Sequence, residues 1–147
     1  MIISEPLIRC IDETDFRAVA EITNKHFPHM LVTPSKIALR LSRGFSYFVA
    51  VVEGAVVGFI EVKLEEKKAK LLGMAVDDRF KGRGIGSALI NKAIEFAVEE
   101  GKREIYLEVR RNNLSAIKVY ERHGFVLKKE LEKDGEGVYI MRRSLET

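Results

Sequence analysis

The chain has a single cysteine, Cys10, three prolines, and neither tryptophan nor glutamine among its 147 residues. A lone cysteine excludes an internal disulfide and any zinc cluster built from cysteine pairs. No apolar run approaches the roughly 18 residues of a membrane-spanning helix, and the longest candidate, Phe45 to Val52, has the length of a strand. Met1 to Pro6 carries no basic region ahead of a hydrophobic stretch, so no signal peptide and no membrane attachment are expected, and the expected compartment is cytoplasmic. Charge of one sign is also lacking. There are 25 basic and 22 acidic residues, a net charge of +3, and the basic ones are scattered, which argues against a nucleic-acid partner. The missing glutamines and the weight of Lys and Glu give a composition like that of thermophile proteins, where ion-pair networks grow and thermolabile amides thin out.

What is present suffices for one domain spanning residues 1–147. Hydrophobic residues make up 46%, within the about 45–50% typical of globular chains. No linker, repeat or low-complexity segment divides the sequence. Leu7 to Ile11 reads as a short strand, and Asp12 or Thr14 can cap a helix from about Asp15 to Phe27. Pro28 interrupts that helix, and Pro34-Ser35 opens a second one that runs to Gly44. Phe45 to Val52, Ala55 to Leu64 and Leu71 to Val76 follow as a meander of strands, with Glu53-Gly54 as the first turn. A glycine-rich loop, Gly82 to Gly86, then precedes a helix from Ile85 to about Glu100, whose apolar positions Leu89, Ile90, Ala93, Ile94, Ala97 and Val98 suggest packing on a sheet. Arg103 to Val109 alternates as a strand, Asn113 starts a helix ending near Gly124, and Phe125 to Leu131 with Val138 to Leu145 form a closing hairpin. This order predicts an α+β (α/β) fold with a mixed sheet of about seven strands and about four helices.

A strand, a glycine loop and a helix together present free backbone N–H groups and a positive dipole to an anion. The loop Lys81-Gly82-Arg83-Gly84-Ile85-Gly86-Ser87 lacks the Gly-Lys-Ser/Thr ending of a Walker loop and does not form a dinucleotide fingerprint. By itself it reads equally as a pyrophosphate cradle flanked by Arg79, Lys81 and Arg83, or as a flexible turn with solvated cations.

Two segments narrow the choice. Met74-Ala75-Val76 with the glycine loop, and Leu107-Glu108-Val109-Arg110 through Asn113, Ala116 and Tyr120 to Gly124-Phe125, resemble the GNAT superfamily of N-acetyltransferases. The second segment is most like the branch that acetylates ribosomal proteins and N-terminal alanines. The resemblance covers roughly Phe45 to Glu146. It implies a mostly antiparallel GNAT sheet, acetyl-CoA as acetyl donor and an amine acceptor, possibly a protein N-terminus; with no clustered Asp, Glu or Cys near the histidines, no metal is expected. It also implies that the backbone of Met74, Ala75 and Val76 lies along the pantetheine, and that Lys81, Gly82, Arg83, Gly84, Ile85, Gly86 and Ser87 wrap the pyrophosphate, with Asn113 as a further cofactor contact.

Acetyl transfer needs a neutral amine, a stabilised oxyanion and an assisted thiolate. Asn113 and Tyr120 are seven residues apart, so two helical turns bring them to one side about 10 Å apart along the axis. Asn113 can also cap its helix, and Tyr120 can also be an ordinary core aromatic. By the resemblance Tyr120 is the acid toward the CoA sulfur. A phenol near 10 is a weaker acid than a thiol near about 8.5, so its expected part is a hydrogen bond to the departing thiolate rather than full protonation. Glu108, twelve residues before the tyrosine, is the base implied by the resemblance, acting directly or through water. Partial burial at the strand end is expected to raise its pKa, while the plainer reading is an ion pair with Arg110 or Arg103.

The remaining chemistry-bearing residues carry less. His26 and His29 flank Phe27-Pro28 in the loop where this family admits its acceptor, His123 suits a helix C-terminus, and Cys10 reads as a small buried hydrophobe. The acceptor groove is expected from the opening helices and the Lys133–Gly137 turn. Acceptors other than an α-amine, a small amine or a lysine side chain, stay open, as does a non-catalytic acyl-CoA-binding domain. The molecule is expected to be a monomer or a homodimer.

Overall fold

The computed structural model describes residues 5–146; Met1 to Ser4, part of the N-terminal segment read above, lie outside the described residues, as does Thr147. Seven strands form one sheet: β1 (Leu7–Cys10), β2 (Phe45–Val52), β3 (Ala55–Leu64), β4 (Lys68–Val76), β5 (Glu104–Arg110), β6 (Val126–Lys133) and β7 (Glu136–Ser144). Their order across the sheet is β1-β2-β3-β4-β5-β7-β6. Every neighbouring pair is antiparallel except β4 and β5, which run parallel. The four α-helices are α1 (Phe16–His26), α2 (Pro34–Ser42), α3 (Ile85–Glu99) and α4 (Leu114–Arg122). A parallel pair needs a crossover, and α3 supplies it between β4 and β5.

The elements start where the side chains dictate. Thr33 caps α2 by accepting from Lys36 N, with Pro34 at the first helical position, where its missing N–H costs nothing. Asp12 accepts from Thr14 N and caps a 3-10 turn at Glu13–Asp15 that runs straight into α1. Glu53 and Gly54 make the β2–β3 turn with both residues at positive φ, the geometry a tight hairpin requires. The strand predicted from Leu71 begins three residues earlier, at Lys68.

Helices cover the sheet unequally. On one face α3 buries Leu89, Ile90, Ala93, Ile94 and Ala97 against Ile60, Val62, Leu71, Ile105 and Leu107. Each large side chain buried this way stabilises by about 1.5–3 kcal/mol. Val98 lies outside this contact and is exposed, which corrects the sequence expectation. On the other face α1 and α2 pack Val19, Ala20, Ile22 and Ile37 over Tyr47, Val49, Phe59 and Ala75. They cover only the β1–β4 half. The same face of β5, β7 and β6 carries charged side chains, and the edge strand β6 is exposed along its length. Its Lys and Glu residues keep a free strand edge from pairing with another chain. Cys10 is exposed at the end of β1, contrary to the buried hydrophobe expected.

Candidate active site

β4 and β5 pair only from Lys68–Leu71 to Glu104–Leu107, although both strands continue. The register of β3 against β4 explains the parting. Glu61 faces Gly73 and Val62 faces Leu71, so Leu72 is the extra residue of a bulge, and a bulge bends and twists its strand. Beyond Leu71 the β4 edge turned toward β5 has lost its strand partner. A groove of about 620 Å³ opens there, lined by Met74, Ala75 and Val76, the loop after β4, the start of α3 and one side of α4.

The loop supplies free donors. Gly82 and Gly84 have φ of +77° and +80°, a left-handed conformation that glycine adopts without the Cβ penalty. Gly84 is the residue before α3 and offers no side-chain cap. The first intrahelical bond runs from Ala88 N to Gly84 O at 3.0 Å, so the amides of Ile85, Gly86 and Ser87 precede the helical ladder. A Cβ on Gly86 would meet the Met74 side chain at 3.6 Å, so loop and strand close on each other at this point. Of the flanking cations only Lys81 lines the groove, and its Nζ rests 2.9 Å from Asp78. Arg79 is turned to Asp77. Arg83 is not among the lining residues, and its guanidinium lies over the Phe80 ring at 5.2 Å.

Asn113 and Tyr120 both line the groove with Ala116 between them. Asn113 also caps α4, accepting from Ala116 N at 3.3 Å. Tyr120 packs edge-on against the buried Phe125, with ring centroids 5.8 Å apart. Among the described residues its hydroxyl has no hydrogen-bond partner, and desolvation alone pushes its pKa up. Both the core contact and the open hydroxyl are therefore present in one side chain.

Two histidines bear on the groove in ways the sequence did not signal, His26 as a lining residue and His123 through Ser87. His123 sets Nδ1 3.1 Å from Asn91 Oδ1 and Nε2 3.1 Å from Ser87 Oγ. Burial, reinforced by Arg143 and Arg122, lowers its pKa. The neutral ring donates from Nδ1 to the amide oxygen and accepts the Ser87 proton at Nε2, so His123 orients a residue in the first turn of α3 instead of acting as a cation on the helix dipole. The partners lie 32 and 36 residues away, and no local pattern reveals them. His26 is not confined to the loop between the opening helices: it lines the groove, donates from Nδ1 to Ile22 O and holds Nε2 3.5 Å from Asp78.

Glu108 lies elsewhere. It is the first β5 residue past the last β4–β5 pair and sits on the face away from α3 and α4, in register with Ile140. It borders a separate recess with Lys133, Asp134 and Glu136. Its side chain is 32% exposed, with Lys133 Nζ at 3.1 Å and Lys70 Nζ at 3.6 Å. Desolvation pushes its pKa up, but the Lys133 hydrogen bond and the Lys70 charge outweigh it, and the net shift is downward. The expected upward shift is thus reversed: partial burial acts in the expected direction, and the two lysines, which lie far from Glu108 in sequence, overcome it. The partners expected for the ion pair also differ: Arg110 pairs with Glu136 and Arg103 with Glu146. Among the described residues no group of three or more His, Cys, Asp or Glu is placed to hold a metal ion, and no helix is long and apolar enough to cross a membrane.

The parallel central strands where the sheet splits and the glycine loop beside the split fall within residues 15–125, which match the acetyltransferase (GNAT) family. The chain belongs to that family of acetyltransferases. It is 32% identical over 118 residues to an N-alpha-acetyltransferase of Saccharolobus solfataricus, covering 69% of this chain and 71% of that one. An uncharacterized N-acetyltransferase of Methanocaldococcus jannaschii is 43% identical over 86 residues, 54% of this chain; the match spans only 38% of that longer protein. Among solved structures, Ard1 from Thermoplasma volcanium superposes with a TM-score of 0.85 at 32% identity, covering 98% of this chain and 100% of its own. The family and fold expected from the sequence are those found.

Proposed function

We propose that the protein transfers the acetyl group of acetyl-CoA to the α-amine of a polypeptide N-terminus. The parting of β4 and β5 carries the reading, because it leaves one unpaired stretch of β4 between a groove suited to a thioester cofactor and a cavity on the opposite face suited to an acceptor. The groove fits the cofactor on its own terms: amides ahead of the α3 ladder suit a pyrophosphate, Lys81 adds a cation, and the unpaired β4 edge suits the amides of a pantetheine chain, as an added strand would. Bound acetyl-CoA supplies an electrophilic thioester carbonyl. Met74 to Val76 offer backbone donors to hold that carbonyl, and Asn113 and Ala116 border the arm. Tyr120 directs its unpartnered hydroxyl to the sulfur and strengthens that hydrogen bond as negative charge develops.

The acceptor enters from the α1/α2 face and meets Glu108 at the apex of the split. A carboxylate held below its ordinary pKa is a weak base, which suits an α-amine near about 7.7–8.0, since freeing it at pH 7 costs only about 1 kcal/mol. A lysine near about 10.4 would cost roughly 4–5 kcal/mol. Glu108 receives the proton through water and passes it to solvent. The kinship with archaeal N-alpha-acetyltransferases supports this choice of acceptor. The test is incubation with acetyl-CoA and a panel of peptides, free lysine and polyamines, with products identified by mass; peptides acetylated at their N-termini are expected. Acetylation confined to lysine or polyamine would overturn the acceptor, and binding without turnover would indicate a non-catalytic acyl-CoA domain.

A further inference from the structure

On the α1/α2 face a second cavity, of about 490 Å³, ends at Leu72 and Gly73, the two β4 residues that directly precede Met74 in the cofactor groove. Its volume lies within the roughly 300–1,000 Å³ of small-ligand pockets. Gly73 has no atom within 4 Å of where a Cβ would stand, so the backbone is open to a ligand at the point where the cavity reaches the split. The walls are apolar: Phe27, Met30, Val32, Leu39 and Phe59. The floor is polar but closed on itself.

That floor consists of Glu61, 8% exposed, with Arg40 and Tyr47. Arg40 Nε donates to Glu61 at 2.5 Å and its guanidinium stacks on the Phe45 ring at 4.2 Å. Burial pushes the Tyr47 hydroxyl pKa well up, and a hydrogen bond to Glu61 pushes it further, so it stays protonated. Among the described residues none of these three has a buried side-chain atom without a partner. The Glu61 charge is thus already matched by Arg40, and no free carboxylate waits for a second ammonium group. Lys36 and Arg43 at the same cavity add positive charge, which repels a polyamine chain. A satisfied floor beneath apolar walls asks for a large apolar side chain.

We infer that this cavity receives the first side chain of the acceptor peptide and selects methionine or leucine over alanine, serine or glycine. The inference rests on the reading of the acceptor as an α-amine and specifies which one. With the side chain among Phe27, Leu39 and Phe59, the amine of the same residue lies over Gly73, on the unpaired stretch of β4. Methionine also gains sulfur–aromatic contact with the two rings. An alanine methyl leaves most of the cavity unfilled. Each methylene matched to an apolar pocket is worth about 10–200-fold in discrimination, so at least a tenfold advantage in kcat/KM is expected for Met- or Leu-first peptides over the Ala-first peptide of otherwise identical sequence. Leu39 is half exposed, so Leu39→Trp can fill the cavity without disturbing the core, and Leu39→Ala enlarges it.

The experiment measures kcat/KM with acetyl-CoA for peptides differing only in a first Met, Leu, Phe, Ala, Ser or Gly, with spermidine alongside. Acetyl-CoA affinity of each variant, read by calorimetry, establishes that it is folded. The Met-to-Ala ratio should fall at least tenfold in Leu39→Trp, and the optimum should move toward the Phe-first peptide in Leu39→Ala. Peptides acetylated with Ala preferred, or a ratio unmoved in both folded variants, would overturn the cavity assignment and leave the α-amine reading intact. Spermidine acetylated with no peptide product would overturn both.

Discussion

The two sides of the split sheet are built from different materials. On the α3/α4 side the groove is made of backbone: the β4 edge, two left-handed glycines and the amides opening α3. On the α1/α2 side the surfaces are made of paired side chains, Arg40 with Glu61 and Lys70 and Lys133 with Glu108. A cofactor whose chemical identity is constant, as proposed for the first side, suits a rigid backbone mould. An acceptor site that must discriminate suits side chains, which can be exchanged without moving the sheet. Changes on the first side should therefore abolish chemistry or cofactor binding, and changes on the second should tune rate and choice.

The largest loss is expected at Tyr120. Tyr120→Phe keeps the ring against Phe125 and removes a hydroxyl that has no partner among the described residues, so the melting temperature should hold. Turnover on an accepted peptide should fall about 10²-fold or more, as for other groups that bond charge developing in the transition state. Acetyl-CoA affinity should barely change. A folded Tyr120→Phe enzyme at parental turnover would remove the tyrosine from the chemistry.

Gly84→Val ranks next and reads binding alone. A β-branched residue at φ +80° is strained by about 1–3 kcal/mol, and nothing lies within 4 Å of its Cβ position. Relief of that strain rotates the amides that open α3, and calorimetry should show acetyl-CoA affinity lowered by roughly 5–100-fold with helix content retained. Unchanged affinity would mean that the pyrophosphate lies elsewhere.

The same contrast explains what could be read from the chain. The groove beside α3 is nearly continuous in sequence, 74–87 and 113–120, so its glycine spacing and the Asn113–Tyr120 interval single out most of its lining before any folding is known. Strand and helix types follow from alternation and capping for the same local reason. Arg40, Tyr47 and Glu61 come from one helix and two strands, and Lys70 reaches Glu108 across 38 positions. No local pattern announces those pairs. Glu108 stands out in the sequence by its place before Asn113 and Tyr120, but its electrostatics depend on two lysines that only the β4–β5, β5–β7 and β6–β7 pairings bring close. The histidine bridge from α4 to Ser87 was hidden for the same reason.

Glu108 sharpens the contrast through pH. Glu108→Gln should cost about tenfold in kcat/KM, below the roughly 10²–10⁴ of a fully engaged general base, because an α-amine near about 7.7–8.0 is already partly free at neutrality. Held below 4.5 by Lys133 and Lys70, Glu108 stays ionised from pH 6 to 8. The rise of kcat/KM across that range therefore belongs to the acceptor amine. The variant should lower the whole profile without moving its midpoint. A midpoint that moves in Glu108→Gln would show the carboxylate itself titrating, and the lysine pairing would then not hold in the working enzyme.

The smallest effect is expected where a side chain serves the backbone side, at His123. The fold lowers its pKa from 6.5 by burial and by the neighbouring Arg143 and Arg122. Between the folded value and 6.5 the unfolded chain binds more protons, so stability rises with pH across that window. The contribution is complete above 6.5 and is lost as pH falls below it. His123→Gln retains an oxygen acceptor for the Ser87 hydroxyl but cannot titrate. Its melting temperature should change less than the parent's between pH 7 and pH 5, a difference of about 1–2 °C for a partly exposed group in a chain of this size. Protonation also turns Nε2 from acceptor to donor and releases Ser87 from its present orientation, so the acetyl-CoA KM of the parent should rise on acidification more than that of the variant. Parallel pH profiles for the two proteins would mean that His123 is a bystander, and that the amides ahead of α3 hold the phosphates without help from the side chain beneath them.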